Sequence, residues 1–163
     1  MANHKLIFDE DFEEHFKLIA IHCSEDAYKM AYLMNQHLNL RLKRKRTDLD
    51  FSKEGLLITF PLYDFEDAHK YTHFYLVANK CKSVEASLQS SGGLFAELVA
   101  EKSTVHYLIP EFKKVDYILK IYSDFETVPL RKFLSEINEI KQVISAYTLE
   151  IDTVKSKNNL IFD

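Results

Sequence analysis

Residues 16–23, FKLIAIHC, are apolar at consecutive as well as alternate positions. A strand with one wet face alternates; one that does not must be covered on both sides. The segment therefore predicts a central strand in a layered fold. The next residues predict the first covering layer. Ser24 offers an N-cap, Glu25 and Asp26 place negative charge on a first helical turn, and Ala27, Met30, Ala31, Met34 and Leu38 share one helical face.

A second strand–helix–strand unit closes the chain. Val115, Tyr117, Leu119 and Ile121 alternate with Asp116, Ile118, Lys120 and Tyr122. A helix follows with Leu130, Phe133, Leu134, Ile137, Lys141 and Ile144 on one face, and Thr127 and Pro129 suit its first turn. The run QVISAYTLEID then reads as a strand with Val143, Ser145, Tyr147, Leu149 and Ile151 on one face. Between the two units lie LLITFPLY, where Pro61 marks an edge or bulge, the aromatic strand THFYLVANK, and the strand TVHYLI. Residues 83–91 are ambiguous, SSGG at 90–93 signals a flexible loop, and LFAELVAEK fits two helical turns. Ribbons segregated between two strand–helix units predict an α+β fold with a mixed or antiparallel sheet. Its two main helices suit a split β-α-β, ferredoxin-like arrangement in at least part of the chain. Residues 1–155 form one domain in this reading. Residues 156–163 form a C-terminal tail that frays unless Leu160, Ile161 and Phe162 dock.

Composition narrows the function classes. At 163 residues the chain can bury a core without metals or disulfides. Twelve Phe and nine Tyr against three Gly and three Pro suit an aromatic-rich sheet, and leave no glycine-rich cradle for phosphates. The net charge of -4 gives no global pull toward nucleic acid or anionic membranes. No apolar run approaches the roughly 20 residues that span a bilayer. The acidic start, MANHKLIFDEDFEEHF, lacks a signal-peptide pattern, so a cytoplasmic setting is expected. Cys23 and Cys81 form no C-x-x-C pair and lie in apolar runs, where a thiol behaves as a small hydrophobe.

Charged and titratable clusters follow. Arg41, Lys43, Arg44, Lys45 and Arg46 form a basic stripe that suits RNA or an acidic protein partner, or else a solvated edge strand, or pairing with the acidic run 9–14. His69 and His73 stand four apart, but in a strand that spacing separates them by about 13 Å, too far to share a metal. His22 and Cys23, as strand neighbours, point to opposite faces and cannot form a nucleophile–base pair. No catalytic motif and no cofactor site is expected.

One stretch remains, LIPEFKKVDYILKIYSD at 108–124. Pro110 cannot donate to a ladder and biases Ile109 toward extended geometry, so it ends a strand, and residues 111–114 connect to the next. Glu111 could satisfy backbone N–H groups or pair with Lys113 or Lys114. Asp116 needs a partner or water beside Ile118. Ile109, Pro110, Glu111, then Val115, Asp116 and Tyr117 at this spacing resemble the signature of the IPExxxVDY family, small bacterial proteins of unknown function. FKLIAIHCSEDAYKMAYLMNQHL, LVANK and GGLFAELV are further points of similarity. The resemblance implies no reaction, cofactor or partner. The expected function is a non-enzymatic binding or assembly module that pairs with a second copy. An RNA- or ribosome-associated factor using residues 41–46 is the alternative. A ligand sensor or enzyme with Glu111 and Asp116 in a cleft is the third.

Overall fold

A computed structural model describes residues 16–53, 55–84, 103–124 and 127–162. The first apolar run forms β1, Phe16–Cys23, and leads into α1, Ala27–Leu38. Two short strands, β2 Lys43–Arg44 and β3 Leu49–Asp50, precede β4 Thr59–Phe60 and β5 Leu62–Asp67. They are followed by β6 Thr72–Ala78, β7 Lys80–Val84, β8 Ser103–Tyr107 and β9 Tyr117–Ser123. α2, Leu130–Asn138, and β10, Val143–Leu149, complete the order.

The fold is α+β. Six strands form one antiparallel sheet in the order β10-β1-β9-β6-β5-β2, and β3-β4 and β7-β8 form two small ribbons. β1 sits inside the sheet, as its unbroken apolar run requires. β9 lies between β1 and β6, so β1 and β6 run in the same direction without touching. The units β1–α1–β6 and β9–α2–β10 interleave as a result.

Each sheet face has its own cover. On the helix face, Ile19, Ile21, Leu76, Leu119 and Ile121 pack against Met30 and Met34 of α1 and Phe133 and Ile137 of α2. The far face carries Leu18, Ala20, Val77 and Ile118, and among the described residues its cover contains no α-helix. Ile58 and Phe60, then Leu108, Ile109 and Val115, then Val154, Leu160 and Phe162 fill it. Burying one such Leu, Ile, Val or Phe side chain is worth roughly 1.5–3 kcal/mol, so the irregular cover contributes on the same scale as the helices.

Several local expectations shift. Ser24 does not cap α1. Asp26, extended at φ -65 and ψ 156, precedes the first helical residue and makes no side-chain cap bond. The helix instead ends on Asn39 in the left-handed region at φ 54. Pro61 separates two strands rather than interrupting one, since β4 pairs with β3 and β5 with β6. Val115 does not share a face with Tyr117: a 3-10 turn at Pro110–Phe112 ends just before it, and Val115 packs in the far-face core. Val143 and Leu149 also part company. The β1–β10 register slips between His22 and Cys23, leaving Ile144 as a bulged residue and turning Val143 to the helix face. At the C-terminus, Leu160 and Phe162 dock in the far-face core while Ile161 faces out. The expected SSGG loop, the two helical turns after it and the acidic run 9–14 lie outside the described residues.

Candidate functional site

The signature residues fold into a corner at the end of β1, and its hub is a residue outside the signature. Asn79, between β6 and β7, is fully buried. Its Oδ1 accepts the N–H of Ile109 at 2.8 Å, and its Nδ2 donates to the carbonyls of Phe112 at 2.9 Å and Val115 at 3.0 Å. Its backbone joins too, taking the Leu108 N–H and donating to the Asp116 carbonyl, both at 2.9 Å. Pro110 opens the 3-10 turn, where its missing N–H costs nothing, and Ile109 before it is extended at φ -117, ψ 94.

Both acidic residues of the signature hold backbone. Asp116 Oδ2 accepts the Cys23 N–H at 2.9 Å, and Oδ1 takes the Lys80 ammonium at 2.7 Å. The Asp116 N–H donates to the Ile21 carbonyl at 3.0 Å, so this one residue ties the ends of β1, β9 and β7. Glu111 reaches the C-terminal segment: Oε1 accepts the Ser156 N–H at 2.6 Å and Oε2 its hydroxyl at 2.9 Å. Ser156 precedes the 3-10 turn Lys157–Leu160, so Glu111 takes a donor that the turn itself leaves unpaired. Burial pushes the Glu111 carboxyl up, but the Ser156 donors outweigh it and hold the group below its ordinary range. Neither Lys113 nor Lys114 pairs with Glu111.

Tyr117 completes the corner. Its hydroxyl donates to the Glu25 carbonyl just before α1. Burial chiefly, with the nearby acidic groups, pushes the phenol well above its ordinary range. Burial likewise raises the Cys23 thiol, favouring the protonated, unreactive form. His22 points to the other face, where its Nε2 lies 3.2 Å from the Tyr147 hydroxyl.

Outside the corner lies an open groove of about 500 Å³, lined by Pro110, Glu111, Phe112, Lys113, Lys114, Val115 and Tyr147. Asp116 is not in its lining, so the two acidic residues do not share this cleft. Lys113 and Lys114 are exposed and uncommitted to any carboxylate among the described residues, and Lys113 lies 5.8 Å from the Tyr107 ring centroid.

The C-terminal segment is fastened at further points. Asn159 Nδ2 donates to the Leu108 carbonyl at 2.8 Å, and Lys120 Nζ to the Leu160 carbonyl at 2.9 Å. Lys120 also stands 4.5 Å from the Phe16 ring centroid and 5.3 Å from that of Phe162, within cation–π range of both.

The basic stripe is divided by the fold. Lys43 and Arg44 form the edge strand β2. Arg44 donates to both carboxylate oxygens of Asp48, at 3.0 and 2.9 Å. Lys45 donates to the Phe162 carbonyl at 3.2 Å. Arg41, Lys43 and Arg46 are exposed, with no partner among the described residues. His73, on β6, lies 3.1 Å from both the Asp64 carboxylate and the Tyr75 hydroxyl, while His69 sits in the preceding turn. Among the described residues no three His, Cys, Asp or Glu side chains gather as a metal site, and no helix is long and apolar enough to cross a membrane.

The residues missed in the sequence are Asn79, Lys80, Ser156 and Tyr147. LVANK carried the one available signal, a lone asparagine ending an apolar strand. Comparison with family models, with curated proteins and with solved structures returns no match in any of the three.

Proposed function

We propose that this chain is a non-enzymatic binding and assembly module of the IPExxxVDY type, which meets a second copy of itself along the outer edge of β10. The observation that carries this is β10 itself. It is seven residues long, it has no charged side chain, and it exposes Ile144 by 74%. A long, neutral edge strand is a template for pairing with another chain. The opposite edge differs: β2 consists of two basic residues, Lys43 and Arg44, with Arg41 and Arg46 close by, and like charges disfavour self-pairing. Both sheet faces are filled by the chain's own segments, which leaves the edges for association.

The signature fits a scaffolding role in this reading. Each of its carboxylates already accepts two hydrogen bonds, which supports neither a sensor nor an enzyme built on Glu111 and Asp116. The order β10-β1-β9-β6 supports a split β-α-β, ferredoxin-like core extended by β5 and β2. The free thiols of Cys23 and Cys81 suit a reducing, cytoplasmic setting. Sedimentation equilibrium tests the proposal. Wild type is expected to self-associate and Ile144→Lys to return it to monomer; a wild type that stays monomeric up to millimolar concentration overturns it.

A second reading rests on the exposure of Arg41, Lys43 and Arg46. These side chains suit RNA phosphates or an acidic protein. Filter binding of single-stranded RNA over a salt series is expected to show retention that weakens with salt and vanishes when residues 41 and 43–46 become Gln. No retention by wild type removes the RNA arm.

A further inference from the structure

Asn138 ends α2 on the surface, yet its amide makes three hydrogen bonds. Nδ2 donates to the Leu134 carbonyl at 2.9 Å and to the Ala146 carbonyl at 3.0 Å, while Oδ1 accepts the Ala146 N–H at 2.9 Å. This pattern fixes the amide orientation, since a flipped side chain would set its oxygen against both carbonyls. Ala146 lies opposite Ile21 in the β1 ladder. The Ile21 carbonyl is taken from the β9 side by Asp116, so the Ile21–Ala146 pair exchanges no hydrogen bonds and both Ala146 groups point out of the sheet. A seventh strand would use those same two groups. By the same alternation Thr148 presents its N–H and carbonyl outward, and no described residue takes them.

The device recurs at the other edge. Asn35 of α1 accepts the Leu42 N–H at 2.8 Å and donates to the Leu42 carbonyl at 3.1 Å, one residue before β2. Each helix thus supplies one asparagine that occupies both backbone groups of a residue at a sheet edge. At β2 the basic side chains already discourage pairing; along neutral β10, past the bulge at Ile144, the amide is the obstacle.

We propose that Asn138 is a removable plug on the β10 edge. In place, it occupies the hydrogen-bonding pair that an incoming strand needs; rotated away, it opens a site for the antiparallel β10 of a second copy. The occupant follows from the edge: two uncharged, identical strands can pair isologously about a two-fold axis, main chain to main chain. The choice of occupant rests on the assembly reading above, while the plug itself does not. Exchanging two amide-to-backbone bonds for two backbone-to-backbone bonds is close to neutral, so loss of the side chain tips the balance toward pairing.

The experiment compares wild type, Asn138→Ala and the double variant Asn138→Ala with Ile144→Lys by sedimentation velocity over a concentration series. Amide hydrogen exchange at Ala146 and Thr148 is followed in parallel. Asn138→Ala is expected to self-associate at least tenfold more tightly than wild type, with the Thr148 amide protected in the dimer, and the added lysine to restore monomer. A monomeric wild type with a dimeric Asn138→Ala keeps the plug and overturns the native assembly. A dimeric wild type unaffected by Asn138→Ala keeps the assembly and overturns the plug. Should Asn138→Ala fail to fold, wild-type exchange at low concentration decides: slower exchange at Ala146 than at Thr148 supports the plug, and equal rates overturn it.

Discussion

The side-chain oxygen of Asn79 accepts the backbone N–H of Ile109 at 2.8 Å, and both residues are fully buried. This bond fixes where the chain leaves the β7–β8 ribbon. The same amide then turns to Phe112 and Val115, so one side chain closes the corner that the signature residues only border. Ile109, Pro110 and Val115 act by shape around it. Glu111 and Asp116 carry the corner outward to the C-terminal segment and to β1.

Asn79→Ala is expected to be among the most damaging single changes. It leaves the Ile109 N–H and the Val115 carbonyl without a partner in a buried site, while the Phe112 carbonyl keeps the Val115 N–H at 3.1 Å. Each unsatisfied group costs about 1–3 kcal/mol, and relaxation recovers part of the sum, so the expected loss is roughly 2–4 kcal/mol. Urea denaturation measures it. A loss below about 1 kcal/mol removes the hub role. Asn79→Asp is expected to be no better, because a carboxylate can accept from Ile109 but opposes two carbonyls.

Asp116 separates a hydrogen-bonding role from a charge role. Asp116→Ala removes the acceptor of the Cys23 N–H and the Lys80 ion pair, at an expected cost of about 1–2 kcal/mol. Asp116→Asn can keep the Cys23 bond, and the half-exposed ion pair is worth little in water, so it is expected to cost about 0.5 kcal/mol or less. Denaturation of both variants, with Lys80→Met as the control for charge, ranks the two terms. Equal losses for Ala and Asn assign the role to charge instead.

Periodicity made the repeated, local features legible. The run 16–23 announced a covered strand, the stripe from Ala27 to Leu38 announced α1, and the alternation from Tyr117 to Ile121 announced β9. The misses share a physical cause, which is that one irregular residue resets a period. The 3-10 turn before Val115 and the bulge at Ile144 each flip a neighbour to the other face. The site was less legible than the fold. Asn79 meets partners 30 to 36 residues away, and Glu111 meets one 45 away, through side-chain-to-backbone bonds that leave no spacing in the sequence. Asn138 and Ala146 are only eight apart, but nothing in INEIKQVISA marks an amide bracketing a strand.

Acid is expected to loosen the C-terminal segment through Glu111. Its carboxyl titrates below the ordinary value of 4.5 in the folded chain because the Ser156 donors favour the ionised form. The stabilisation is therefore complete above pH 4.5 and is lost as pH falls through the lower, folded value. Hydrogen exchange over residues 156–162 between pH 6 and 3 reads the effect. Relative to intrinsic exchange rates, wild type should lose protection below pH 4.5. Glu111→Gln should keep one acceptor for Ser156 and show a flatter profile. Parallel profiles place the acid response in another group.

Tyr117 is expected to set the alkaline limit. Its phenol is pushed up chiefly by burial, so the folded state holds the proton where an unfolded chain, titrating near 10, releases it. The contribution of this group is fully present below pH 10 and declines as pH rises above it. Tyr117→Phe loses the bond to the Glu25 carbonyl, at about 1 kcal/mol near neutrality, but carries no proton to lose. Thermal unfolding of both proteins from pH 8 to 11 should give curves that converge above pH 10 as wild type declines faster. Curves that stay parallel would mean that Tyr117 does not control the alkaline transition and that its hydroxyl serves only to anchor the start of α1.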